Sequence, residues 1–186
     1  MKAHTDITRH TLSVLVENAP GVLSQVSRLF SRKGYNIESI VTGGTDRPNT
    51  ARLAISILAD ELMINQIADQ CRKLIPVLAV KILDEATSIQ REFSLIKVRA
   101  TDRNSRDEVI QMANIFRANI IDVGRDTLTV AIFGDRSKTR ALTDLLADFG
   151  ILEIAKTGTL AIERGRSTIY DDNKLKEEYN YGKNVL

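Results

Sequence analysis

The sequence predicts an α+β protein built from two ferredoxin-like βαββαβ units in tandem. Its apolar residues switch between strand-like alternation and helical spacing in the order β-α-β-β-α-β, and that order recurs from about residue 93. A chain of 186 residues is long enough for two small domains. We expect the first unit over residues 8–84, a linker over 85–92, the second unit over 93–163 and a polar tail over 164–186.

In the first unit, an apolar strand from His10 to Glu17 leads into a helix that Lys33 and Gly34 should end. Pro20 suits the first position of this helix, with Asn18 or Ala19 as its cap. Strands are predicted over 35–41, 51–58 and 77–83. The two helices of this unit have apolar faces formed by Val22, Leu23, Val26, Leu29 and Phe30, and, after a cap at Asp60, by Ile64, Ile67, Ala68, Cys71 and Leu74.

The second unit repeats this order. A strand is predicted over 93–100, and Ser105 and Glu108 have the spacing of a capping box at the start of the next helix. Two strands over 119–123 and 127–133 follow, joined by a short turn. A second helix ends at Gly150, and residues 151–162 supply the last strand or strands. The helices should bury Val109, Met112, Ala113 and Phe116, and Leu142, Leu145, Leu146 and Phe149.

The tail differs in composition, because it is polar, mixed in charge and contains three of the four tyrosines. Two interpretations stay open. It is either a disordered end or a short helix near Asn173 to Tyr179 that docks on a neighbouring subunit.

The composition argues against several classes of protein. A net charge of +2, from 26 basic and 24 acidic residues, does not favour a dedicated nucleic-acid or membrane-surface binder. No pattern predicts catalytic or metal-ligating residues, and one cysteine excludes an internal disulfide. A βαββαβ sheet can also bind RNA, but the strands that would stack bases carry no aromatic residue in the first unit. Because no signal or membrane segment is evident, we expect a cytoplasmic protein.

The stretch from Asn18 to Leu23 is the candidate binding site. Gly21 permits close approach to the backbone, and the N–H groups of Gly21, Val22 and Leu23 at a helix start can hold a carboxylate or phosphate. The alternative is an ordinary strand-to-helix turn.

Several runs make the chain resemble the regulatory small subunit of acetohydroxyacid synthase, also called acetolactate synthase, which contains an ACT domain. The resemblance covers about residues 8–165. It lies in residues 17–23 (ENAPGVL), 29–39 (LFSRKGYNIES), 116–123 (FRANIIDV) and 153–158 (EIAKTG). Ala118 replaces a glycine that is common in the family, and Lys156 replaces an arginine.

This resemblance implies a noncatalytic regulatory subunit with an N-terminal ACT domain and a C-terminal ACT-like domain. Such a subunit forms a homodimer, activates the catalytic large subunit and confers feedback inhibition by valine. Thiamine diphosphate, Mg²⁺ and FAD would belong to the large subunit. The implied effector-binding residues are Asn18, Gly21, Val22 and Leu23 of one chain and Asn36 and Ile37 of its mate. The implied contacts with the catalytic subunit are Lys156, Thr157 and Gly158. A stand-alone ACT-type amino-acid sensor, acting on another enzyme or on transcription, is the alternative.

Overall fold

The computed structural model describes residues 7–171 and contains two compact units. Among these residues, the first unit comprises 7–89 and 161–171, and the second comprises 90–160. Each unit has the predicted βαββαβ order, so the predicted fold class is confirmed. No helix within residues 7–171 is long and apolar enough to cross a membrane.

The first unit is a four-stranded antiparallel sheet with two helices against one face. Its strand order is β2-β3-β1-β4, which leaves β2 and β4 at the edges. The elements are β1 (Thr8–Glu17), α1 (Val22–Lys33), β2 (Ile37–Gly44), β3 (Thr50–Ala59), α2 (Glu61–Arg72) and β4 (Val77–Leu83). Alternate residues of the central strand β1, such as Leu12, Val14 and Val16, pack against the buried faces of both helices.

The second unit has the equivalent order β6-β7-β5-β8, with its own core around Ile96, Val130 and Leu142. Its elements are β5 (Ser88–Arg99), α3 (Arg103–Ile115), β6 (Asn119–Val123), β7 (Thr127–Gly134), α4 (Arg136–Leu146) and β8 (Ile151–Lys156). A 3₁₀ turn (Ala147–Phe149) follows α4, and a short strand β9 (Leu160–Glu163) pairs with β5.

The expected linker and tail differ from the structure. Most of residues 85–92 belong to β5, which begins at Ser88; Ser88 and Glu92 are buried and the three residues between them are half-buried, so the segment is not an exposed linker. The tail up to Asp171 is also ordered. It forms a 3₁₀ turn (Ile169–Asp171), and Ile169 is buried against Leu15 and Ala79 of the first unit. The helix predicted near Asn173 to Tyr179 lies outside the described residues.

Two predicted helix starts are wrong. Helix α1 begins at Val22 with Gly21 as its N-cap, so Pro20 lies outside the helix and no side chain of the described chain caps it. The reason is the left-handed backbone of Gly21, at φ 84°, which glycine adopts without steric cost. In the second unit, the capping box pairs Asp102 with Ser105 instead of Ser105 with Glu108, and α3 begins three residues earlier than predicted. The caps predicted at Asp60 and Gly34 are confirmed.

Candidate effector site

The start of α1 differs in chemistry from the other helix starts in the described part of the chain. Asp60, Asp102 and Asp135 cap the remaining three α-helices, and each carboxylate accepts a hydrogen bond from a backbone N–H of the first turn, at 2.7–2.9 Å. These anions already satisfy the positive end of their helices. At α1 a glycine replaces the carboxylate, so the equivalent position is open to an external anion.

Three amide groups are available at this site, as predicted, but one of them belongs to a different residue. Val22 N–H donates to the carbonyl of Ala19 at 3.4 Å, and the Val22 side chain is buried in the core. Within residues 7–171, the N–H groups of Gly21, Leu23 and Ser24 have no such partner, and Gln25 N–H makes the first bond of the helix, to Gly21. The sequence prediction therefore missed Ser24, because it put the first helical residue at Pro20, two residues before the observed start at Val22.

Asn18 is held by the backbone of a neighbouring loop. Its N–H donates to the carbonyl of Asn49 at 2.8 Å, in the loop that joins β2 to β3. Asn49 itself has a positive φ of 58°, a conformation that asparagine tolerates better than most residues. The side chain of Asn18 is exposed and caps no helix among the described residues, so its amide is available to a ligand.

The other two predicted effector residues lie at the opposite end of the same sheet. Ile37 pairs with Ile57 of β3, which pairs with His10 of β1, whereas the candidate site follows Glu17. Glu17 lies seven residue steps along the strand from His10, or about 23 Å away. Asn36 is exposed, and Ile37 is half-buried against the core. One chain therefore does not bring all the predicted residues together.

The predicted contact with the catalytic subunit lies at the end of β8. Thr157 is tied to the start of β5, since its N–H donates to Phe93 C=O at 3.0 Å and its hydroxyl accepts from Phe93 N–H at 3.1 Å. Gly158 takes a positive φ of 85° in the turn that follows. Lys156 is exposed, so it is the member of this group whose charge is presented to solvent.

Two exposed aromatic residues accompany Lys156. Phe93 and Phe133 are directly paired across β5 and β7, and Phe133 is 61% exposed. Lys156 pairs with Ser94, the next residue of β5, so the basic group lies at the same end of the second sheet as the two aromatic rings but on the other face. The sequence-based prediction of the contact with the catalytic subunit did not include these aromatic residues.

The metal-ligating side chains of residues 7–171 lie apart from one another. No group of three or more His, Cys, Asp or Glu side chains is placed to hold a metal ion there. The buried Cys71 is unsuited to nucleophilic chemistry, because burial raises the pKa of its thiol to about 12.

Comparison with known proteins gives a consistent result. Residues 12–79 match a family model described as an AHAS small subunit-like ACT domain, and residues 91–165 match one described as the small subunit of acetolactate synthase. A probable acetolactate synthase small subunit of Methanothermobacter thermautotrophicus is 44% identical over 160 residues, which cover 86% of this chain and 95% of that protein. The acetolactate synthase small subunit of Mycobacterium bovis is 47% identical, over 84% of this chain and 92% of the relative.

The fold is also similar to that of a related protein whose crystal structure is known. The acetolactate synthase small subunit of Thermotoga maritima is 40% identical and superposes with a TM-score of 0.79, covering 87% of this chain and all of that one. Both units of the fold are included in this match. The chain therefore belongs to the family of acetolactate synthase small subunits.

Proposed function

We propose that this chain binds the catalytic subunit of acetolactate synthase, activates it, and makes it sensitive to feedback inhibition by valine. The observation that carries the proposal is the uncapped start of α1 at Gly21, in a chain whose other described α-helices begin with an aspartate cap. An amino-acid effector supplies the missing carboxylate. Its ammonium group requires acceptors, which the side chains of Asn18 and Asn36 provide.

A homodimer would bring together the two parts of the site, the Asn18–Leu23 stretch and Asn36 with Ile37, which are far apart within one chain. Strand β2 is an edge of the first sheet, so its outer N–H and C=O groups can pair with a second copy. A two-fold axis makes that pairing antiparallel and self-complementary. Ile37 of one copy then lies opposite the end of β2 in the other.

That end of β2 is the one beside the candidate site. Gly44 pairs with Ala51, and Ala51 pairs with Val16 near the end of β1. Asn36 and Ile37 of the second copy are thereby brought toward the Asn18–Leu23 stretch of the first. Valine bound there would contact both chains, so its binding would favour one arrangement of the dimer. A coupling free energy of about 1–3 kcal/mol is typical of such allosteric effects.

We assign activation to the second unit. Asp102 already occupies the helix start that corresponds to α1, since it accepts from Ser105 N–H at 2.9 Å while the Ser105 hydroxyl lies 3.0 Å from the same carboxylate. This unit therefore lacks an equivalent effector site. Its exposed Lys156, Phe93 and Phe133 offer charge and apolar area to the catalytic subunit instead.

The test is co-purification with the acetolactate synthase catalytic subunit, followed by activity measurements with and without valine. We expect a complex, a higher activity than that of the catalytic subunit alone, and inhibition by valine. Lys156→Glu should weaken activation, whereas Lys73→Glu, at an exposed lysine of the first unit, should not. Failure to form the complex would contradict the proposal and favour a stand-alone amino-acid sensor.

A further inference from the structure

Residues 163–171, which we call the strap, continue from β9 and lie on the face of the first sheet that has no helix. Ile169 is only 3% exposed and packs against Leu15 of β1 and Ala79 of β4. Leu15 and Ala79 are paired across the two strands, so Ile169 covers one point of the sheet. The strap is thus packed in place by an apolar contact.

Polar contacts fix the part of the strap that precedes Ile169. Lys81 of β4 donates to the Glu163 carboxylate at 2.7 Å and to the carbonyl of Thr168 at 2.6 Å. Arg164 N–H donates to the carbonyl of Thr87 at 2.9 Å. One lysine therefore holds both the beginning of the strap and the residue before Ile169.

Tyr170 joins the strap to the loop between β2 and β3. Its hydroxyl donates to Asp46 Oδ1 at 2.8 Å, and the guanidinium of Arg47 lies 3.7 Å from the centre of its ring. The hydrogen bond from Tyr170 is the main reason that the pKa of the Asp46 carboxyl is lowered. Two different interactions thus connect one side chain with two successive loop residues.

The loop between β2 and β3 is also hydrogen-bonded to the candidate effector site. Thr50 Oγ1 donates to the carbonyl of Arg47 at 2.9 Å, and the hydroxyls of Thr45 and Thr50 are also hydrogen-bonded. Asn49, between them, accepts the N–H of Asn18 at 2.8 Å. A continuous set of contacts therefore runs from Tyr170 through the loop to the backbone of Asn18.

We propose that Tyr170 is a positioning residue for the effector site, which it orders through the β2–β3 loop and the Asn49–Asn18 hydrogen bond. This inference rests on the proposed function. Ile169 and Tyr170 lie beyond residue 165, where the match to the small-subunit family model ends. The strap thus adds a tuning contact to the ACT domain, and its detachment lowers effector affinity without removing any group that touches the effector.

The test compares Tyr170→Phe with Ser167→Ala in the full-length chain. Both variants remove one hydroxyl from the strap, but Ser167 makes no hydrogen bond within the described residues. Loss of this exposed hydrogen bond to a carboxylate predicts a Kd for valine that is about two- to tenfold weaker in Tyr170→Phe and unchanged in Ser167→Ala. Asp46→Ala should have a similar effect, and the double variant should be no worse than either single variant.

A second measurement, amide hydrogen exchange at Asn18 in the ligand-free protein, separates the strap from the effector. Tyr170→Phe should accelerate this exchange while the thermal unfolding midpoint stays near that of the parent. Unchanged exchange at Asn18 would overturn the inference, as would faster exchange with an unchanged Kd. If the parent itself binds no valine, the proposed effector site and the affinity effect both fail, and exchange still decides whether the strap orders the loop.

Discussion

Replacement of Gly21 by aspartate tests the effector site most directly, with asparagine at the same position as the matched control. Both side chains introduce a Cβ at a residue with φ 84°, and that Cβ meets no atom within 4 Å. The strain is therefore confined to the backbone. A left-handed residue other than glycine costs about 1–2 kcal/mol, and less for Asn and Asp. The two variants differ in charge and hardly in shape.

The expected change in the Kd for valine can be worked out from the hydrogen bonds that the uncapped start of α1 would make to the effector carboxylate. An aspartate at the N-cap would bring a carboxylate to this helix start, as Asp60, Asp102 and Asp135 do at the other three, although its backbone would be left-handed there and is extended at those three. It would compete with the effector carboxylate and repel it. A hydrogen bond to a charged group contributes about 1.5–3 kcal/mol, which corresponds to roughly a 10- to 100-fold change in Kd. We expect this difference between Gly21→Asp and Gly21→Asn.

The assay has two parts, valine binding by calorimetry and inhibition of the reconstituted enzyme. Gly21→Asp should lose feedback inhibition yet still activate the catalytic subunit, because the second unit is unchanged. Thermal unfolding of the two variants checks the fold, since 1 kcal/mol shifts the midpoint by about 2–4 °C in a chain of this size. A Gly21→Asp variant that binds valine as tightly as Gly21→Asn would refute the assignment of the carboxylate to this helix start.

Three further predictions concern the fold. Ile169→Ala should lower the free energy of unfolding by about 2 kcal/mol, because the side chain is buried, whereas Ile162→Ala, at a residue that is half exposed, should change it by less than about 0.5 kcal/mol in urea titrations. The thiol of Cys71, whose pKa burial raises to about 12, should resist a thiol-specific reagent at pH 8 in the folded protein and react in urea; rapid reaction of the native protein would contradict its burial. Hydrogen bonds from the Ser137 hydroxyl and Lys138 N–H lower the pKa of Asp135 in the folded state, so the stability that they provide is present above the unfolded value of about 4 and is lost as the pH falls through the folded pKa. The urea midpoint of the parent should therefore fall more between pH 6 and pH 3 than that of Asp135→Asn, and equal shifts would count against this cap.

The sequence was most informative where one physical signal decided the structure. Hydrophobic periodicity predicted both βαββαβ units, because each strand and helix buries one regular set of side chains. Helix caps were also predicted correctly where one residue type decides the cap, as at Asp60 and Gly34. These features depend on neighbours in the sequence, and they needed no knowledge of distant contacts.

Features that depend on tertiary contacts were missed. The left-handed conformation of Gly21 moves the start of α1 past Pro20, although proline at a first helical position is the commoner arrangement. Ile169 is an isolated apolar residue in a polar segment, so no periodicity indicates that it is buried against Leu15 and Ala79. The division of the predicted effector residues between two ends of one sheet likewise emerged only from the strand register.

The two units of this chain share a fold but differ in what the first helix of each can bind. In the first unit a glycine precedes the helix, and its amides face solvent without a cap. In the second unit Asp102 and Ser105 satisfy each other at the same point of the fold. Gly21→Asp would thus give the first unit the helix-start chemistry of the second. The reverse change, Asp102→Gly, would open the amides, and Asn119 at the start of β6 corresponds to Asn36. Three residues before the N-cap, however, Arg99 stands in the place of Asn18, so the variant should not create a valine site. The proposed effector binding would thus require both an open helix start and an acceptor for the ammonium group at the position of Asn18, which within the described residues only the first unit combines.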